Sequence, residues 1–206
     1  MPIVPRQDLF QPDLQKGSLR RPNGQRVAAL SLEFIESFHL TLLDRFTDAA
    51  QDVLYRAGFE WGLQDMVRLN EQLHRDLGGG NLDLWQMDAK FILESWWTPH
   101  VEAGWGRCTF DLSSNSRGLV LAELQSSMVA TAFAGSDQPV CHLYAGLLAG
   151  GVSFYERTER HGVELQCAAM GSKTCIFVVG PGSEVDSAET WRQQGASAAD
   201  IARRLR

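Results

Sequence analysis

A chain of 206 residues, 44% hydrophobic and 21% charged, can bury one sizeable core unaided and lies outside disordered and collagen-like compositions. Its net charge of −6 leaves no basic stripe for nucleic acid, the densest cationic cluster being Arg203, Arg204 and Arg206 at the tail. No run reaches the roughly 18 apolar residues of a membrane span, and the opening MPIVPRQDLF does not read as a signal peptide. A cytoplasmic protein is expected, in which the four cysteines are reduced thiols or metal ligands in preference to disulfides.

Residues 1–28 read as an extended arm, with Pro2, Pro5, Pro12 and Pro22 and little periodicity. From Ser31 the period is helical, with Leu32, Ile35, Phe38 and Leu42 at spacings of three and four. A second helix is expected from Thr47 or Asp48, with an apolar stripe of Ala50, Val53, Ala57 and Trp61. Gly58 and Gly62 thin one of its faces for the approach of another backbone, and Gly78, Gly79 and Gly80 end it. A third helix is expected from Asp83 to about Trp97, burying Leu84, Met87, Phe91 and Trp96 and stopping at Pro99.

The period then falls to two. Segments 106–114 and 117–125 read as strands around a Ser-Asn-Ser turn, and 126–134 leaves helix and loop both open. Asp137 and Pro139 mark the start of a glycine-containing helix, followed by VELQCAAMGSKTCIFVV at 163–179, a hairpin turning at Gly171–Lys173. A last helix, Ser197 to Leu205, opens on a weak capping box. Helices followed by strands, without strict alternation, predict an α+β fold with helices packed on one antiparallel sheet.

The hairpin holds two cysteines. Cys167 and Cys175 on opposite arms of a three-residue turn would be diagonal neighbours, ~7–8 Å apart at Cα. Glu164 stands three residues before Cys167 and in a regular strand points to the other face. A bulge near 165–166, or a strand starting after Glu164, is needed to bring it round. Cys141 falls in the first turn of its helix, where the dipole favours a thiolate. On spacing alone, two buried cysteines and half of a metal site both remain open. Cys108 reads as core packing.

VELQCAAMGSKTC resembles the C-terminal signature of the four-vinyl-reductase-like (4-vinyl reductase) domain family of small-molecule-binding proteins, whose members include the sensor domains of phenol- and toluene-responsive transcription activators. That signature runs Glu-x-x-Cys, Ala-Met-Gly, then a second Cys before alternating apolar residues. The zinc-bearing sensors have a further cysteine just over twenty residues upstream, where this chain has Cys141. DVLYRAGFEWG at 52–62 also resembles a family helix, and the likeness spans roughly residues 45–180. It implies a fold related to vesicle-tethering (TRAPP-type) subunits, a structural Zn2+ on Cys141, Glu164, Cys167 and Cys175, and a homodimer formed through N-terminal portions. It divides the chain into an arm at 1–28, a ligand-binding domain at 29–182 and a helical tail at 183–206.

The resemblance further implies an apolar or aromatic small molecule held between helices and sheet. Trp96, Trp97, His100, Phe110, Glu123, Phe133 and Tyr144 are the candidate ligand-binding residues. The phenol sensors grip a hydroxyl with a histidine and a tryptophan, the latter on the strand before the Cys141 helix. LVLAELQSS at 119–127 has no tryptophan, so a ligand other than phenol, up to a lipid-like molecule, is equally expected. A zinc-stabilised sensor or carrier is the favoured function. An enzyme or accessory factor of tetrapyrrole vinyl reduction and a structural dimerisation module compete with it. The absence of a glycine-rich nucleotide fingerprint, P-loop or nucleophile motif weighs against the enzyme.

Overall fold

The computed structural model describes residues 10–47, 49–76 and 84–206. Three short antiparallel strands come first, β1 (Gln11–Asp13), β2 (Ser18–Arg20) and β3 (Arg26–Val27). Helices α1 (Leu32–Phe46), α2 (Ala49–Asp76) and α3 (Ala89–Glu102) follow. Then come strands β4 (Arg107–Asp111) and β5 (Val120–Gln125), a short helix α4 (Met128–Ala132) and the glycine-rich α5 (His142–Glu156). Strands β6 (His161–Gln166) and β7 (Cys175–Gly180) and helices α6 (Gly182–Gln193) and α7 (Ala198–Leu205) complete the chain. The main sheet runs β4-β5-β7-β6, every neighbouring pair antiparallel. The expected α+β class is the observed one.

Strand alternation divides the core in two. Phe110, Ala122, Leu124, Phe177 and Val179 face α2, α3 and α5, whereas Leu119, Leu165 and Val178 face α7 through Ile201 and Leu205. Helices cover both faces, so β7 is apolar on each side, whereas the α7 side of β5 carries exposed Glu123 and Gln125. The tail helix thus packs as an amphipathic cap, with Ser197 Oγ accepting from the Asp200 amide at 3.1 Å.

Helices α2 and α5 meet backbone to backbone. A Cβ built on Gly58 would lie 2.0 Å from the Leu143 carbonyl oxygen, and one on Gly146 would lie 1.9 Å from that of Tyr55. Gly62 and Gly150 repeat the pattern one turn on. The buried stripe of α2 is therefore Ala50, Leu54, Gly58, Gly62 and Met66. The expected stripe through Val53 and Ala57 is exposed, because the glycines, with no apolar side chain to register, carry the contact.

Several expectations are corrected. Pro99 lies inside α3, and the helix closes only where the Ala103 amide reaches the Pro99 carbonyl at 3.1 Å. Arg21 Nη2 donates to the same carbonyl at 3.1 Å, tying the arm to α3. Phe91, expected inside, is exposed, because the buried stripe of α3 runs Ile92, Leu93, Trp96, Trp97 and His100 and leaves position 91 off that face. The glycine-rich helix begins after an N-cap at Cys141, later than Pro139 suggested. The ambiguous 126–134 is helical at α4, capped by Ser127 Oγ, which accepts from the Ala130 amide at 3.1 Å. Asp48, Gly78–Gly80, Asp83 and the first prolines of the arm lie outside the described residues.

Candidate metal centre and adjoining cavity

Four residues from four separate places in the chain converge beneath the first turn of α5. Cys141 is its N-cap, Glu164 lies on β6, Cys167 caps a 3-10 turn at Ala168–Met170, and Cys175 opens β7. One ligand atom from each lies within 4.8 Å of every other, and all four residues are buried. The expected pairing across a three-residue turn is not how this comes about. The connection is longer, with Gly171 at φ 92° reversing the chain after the 3-10 turn, so Cys167 sits beyond the end of β6.

A bulge sets the parity. Glu164 pairs with Phe177, but Gln166 pairs with Ile176, a one-residue slip between Glu164 and Gln166. Phe177 faces the α5 side and Ile176 the α7 side. The slip therefore returns Cys167 to the face that already carries Glu164 and Cys175, which a regular strand forbids.

Hydrogen bonds fix the cluster. The Cys141 amide donates to Glu164 Oε2 at 3.0 Å and the Ala168 amide to Cys175 Sγ at 3.3 Å. Ser127 Oγ lies 3.5 Å from Cys141 Sγ, which lies 3.7 Å from Cys175 Sγ. Glu164 Oε1 is buried with no hydrogen-bond partner. Burial, with the neighbouring Cys167 charge adding to it, pushes the Glu164 carboxyl up to about 8. Hydrogen bonds from the Cys141 and Cys175 thiols hold Cys167 far below the ordinary thiol range, while Cys141, donating to Cys167, is raised. A bound cation lets the four groups ionise together, so the cluster can hold a metal ion.

A separate cavity of about 390 Å³ opens at the C-terminal end of α3. Trp61 and Asp65 of α2, His100 of α3, Trp105 and Met128 form its inner wall, and Leu19, Arg21 and Val27 of the arm its outer wall. His100 Nε2 lies 3.1 Å from Asp65 Oδ2, and Asp65 Oδ1 accepts from Arg68 at 2.7 Å. The Trp61 and Trp105 rings meet edge to face at 4.8 Å, and Trp61 approaches His100 at 5.2 Å.

Of the residues expected to touch a ligand, His100 lines this cavity. Trp96 and Trp97 pack against His100, with Phe110 and Tyr144 behind Trp97. Tyr144 donates to the Trp105 carbonyl and Trp97 Nε1 to that of Gly106 at 3.0 Å, so both hold the Trp105 loop. Phe133 packs instead on His39 of α1 at 5.5 Å. Glu123 points to the opposite side of the sheet, into a groove beside Ala198 and Ala202 of α7. Asp65 escaped the sequence reading. Its signal was the spacing of four from Trp61 on one helix, which puts both on one face.

Residues 122–181 match the V4R domain. The V4R segment contains all four cluster residues. The chain also shares its fold with the phenol-responsive sensory domain of the transcription activator PoxR, solved with phenol. That match has 18% identity and a TM-score of 0.67, covering 88% of this chain and 89% of that one. A vinyl-4-reductase family protein from Methanocaldococcus jannaschii is similar at 16% identity and TM-score 0.49, over 74% and 82% of the two chains. A trafficking protein particle complex subunit 3 from Naegleria fowleri, covalently bound to palmitic acid, is similar at 12% identity and TM-score 0.48, over 72% and 93%. No curated protein matches the chain. Among the described residues, no helix is long and apolar enough to cross a membrane.

Proposed function

We propose that this chain is a small-molecule sensor or carrier, stabilised by a structural zinc ion, that binds an aromatic ligand bearing one polar group. The observation that carries the ligand reading is the His100–Asp65 pair set among tryptophans in a cavity of about 390 Å³. That size falls within the roughly 300–1,000 Å³ of small-molecule sites, where apolar walls and a few convergent polar groups are the rule. The match to the V4R domain and the fold shared with a phenol-responsive sensory domain favour the same reading. Titration with phenol and alkylphenols should quench the Trp61 and Trp105 fluorescence to saturation. His100→Ala should weaken binding at least about tenfold, the loss of one hydrogen bond to a buried polar partner, with metal content unchanged. A wild-type protein blind to the whole series would overturn the reading.

Zinc is supported by the donor set and its dimensions. Three thiolates and a carboxylate suit zinc, and arms of ~2.3 Å to sulfur place tetrahedral sulfurs ~3.8 Å apart, against 3.7 Å between Cys141 and Cys175. The unpartnered Glu164 Oε1 is a buried acceptor that a cation satisfies. Four protein ligands close the coordination sphere, so the ion would brace the structure and activate no water. Thiolate ligands also support a reducing, cytoplasmic setting.

We also propose a homodimer through α1. Phe34, Phe38 and Phe46 are 51%, 48% and 51% exposed on a helix whose Leu32, Leu40 and Leu43 are also exposed, a surface of the kind that marks an interface. Sedimentation equilibrium at micromolar concentration should give a dimer, and Phe34→Asp with Phe38→Asp a folded monomer. A wild-type monomer would sink this assignment.

A further inference from the structure

A buried metal site needs an entry path, and one cleft of this molecule leads to the cluster. It lies between α2, α5, β6 and α6, with a volume of about 170 Å³. Glu164 is the one member of the cluster that lines it. Above Glu164 stand His142, the Glu189–Arg192 pair and Asp52. His142 lines the cleft, and its Nε2 is buried without a partner. Arg192 is engaged by both oxygens of Glu189, at 2.8 and 2.6 Å, and its charge is thereby offset. The negative charge left over at the mouth belongs to exposed Asp52.

We propose that this cleft is the port through which the metal ion enters and leaves, with His142 as its intermediate ligand. The inference rests on the metal reading of the cluster. Asp52 would attract a cation to the mouth, His142 Nε2 would offer it a ligand inside the cleft, and Glu164, the one cluster residue lining the cleft, would be the first of the four to hold it. Cys141, Cys167 and Cys175 would complete the set, and release would use the same residues in reverse order. His142 thus serves the path and not the final coordination sphere, which Cys141, Glu164, Cys167 and Cys175 already fill.

The test is exchange of bound zinc for cadmium in the folded, zinc-loaded protein, followed by thiolate-to-cadmium absorption. His142→Ala should slow exchange roughly tenfold, at the lower end of what outer partners contribute to metal sites. The final zinc-to-cadmium partition and the metal stoichiometry should stay at wild-type values, because a path residue alters forward and reverse rates alike. Asp52→Asn, an exposed change that leaves the fold intact, should slow exchange about twofold and flatten its dependence on ionic strength. Wild-type exchange rates in both variants would overturn the port while leaving the metal site standing. A shifted partition in His142→Ala would overturn it too, making His142 a support of the bound state. A wild-type chain that carries no metal and gives no cadmium absorption would remove the metal reading and the port together.

Discussion

Cys175→Ser should abolish metal binding and lower stability by about 4 kcal/mol, a Tm decrease of roughly 8–16 °C for a chain of this size. Zinc bound by small peptides contributes ~10–16 kcal/mol, but there the metal is nearly the whole core. Here the faces built on Phe177 and on Val178 persist without it, so part of that free energy is lost and the fold survives. The proposed ion would tie the start of α5 to the β6 bulge and the first residue of β7, a junction also held by the Cys141–Glu164 and Ala168–Cys175 hydrogen bonds. If Cys175 were only a buried thiol, the serine would cost ~1–3 kcal/mol for an unsatisfied hydroxyl, and a chelator would not change the wild-type Tm. The account predicts instead that a strong chelator lowers the wild-type Tm to near that of the variant and leaves the variant where it is.

Gly146→Ala should destabilise the protein by about 3 kcal/mol in urea denaturation, the upper part of the range for overpacked cores. Helix propensity alone predicts the opposite sign, a gain of ~1 kcal/mol. The added methyl would stand 1.9 Å from the Tyr55 carbonyl oxygen and 2.9 Å from the Phe59 amide nitrogen, and backbone atoms cannot rotate aside. The helices must separate, which also opens the contacts at Gly58, Gly62 and Gly150. A stabilised variant would mean that α2 and α5 are not in backbone contact.

These contacts show what the sequence made legible. Gly58 and Gly62 announce a close approach on α2, yet the apolar pattern runs the stripe through Val53 and Ala57, because hydrophobicity registers side chains and a glycine ridge has none. The arm's strands, two or three residues long, are held by pairing with one another and leave no periodic trace. Of the cluster, Cys141, Glu164, Cys167 and Cys175 came from the likeness to a known signature. The parity of β6 added independently that a bulge near 165–166 was needed, and the slip lies between Glu164 and Gln166.

The cavity was less legible. His100 was identifiable as a polar group in an aromatic neighbourhood, but Asp65 gains meaning only when α2 and α3 cross. The arm residues that complete the wall are brought in by tertiary contacts such as Arg21 to Pro99. Glu123 and Phe133 were assigned by nearness in sequence. Sheet alternation sends Glu123 to the α7 face, and the contact of α4 with α1 takes Phe133 to His39.

The measurement closest to the central claim is the metal content of the purified, reduced, folded wild-type protein, by elemental analysis after exhaustive dialysis against metal-free buffer. The account predicts one equivalent of zinc per chain. A folded chain free of zinc and every other transition metal would contradict it, leaving Cys141, Glu164, Cys167 and Cys175 as a buried polar cluster held by hydrogen bonds alone.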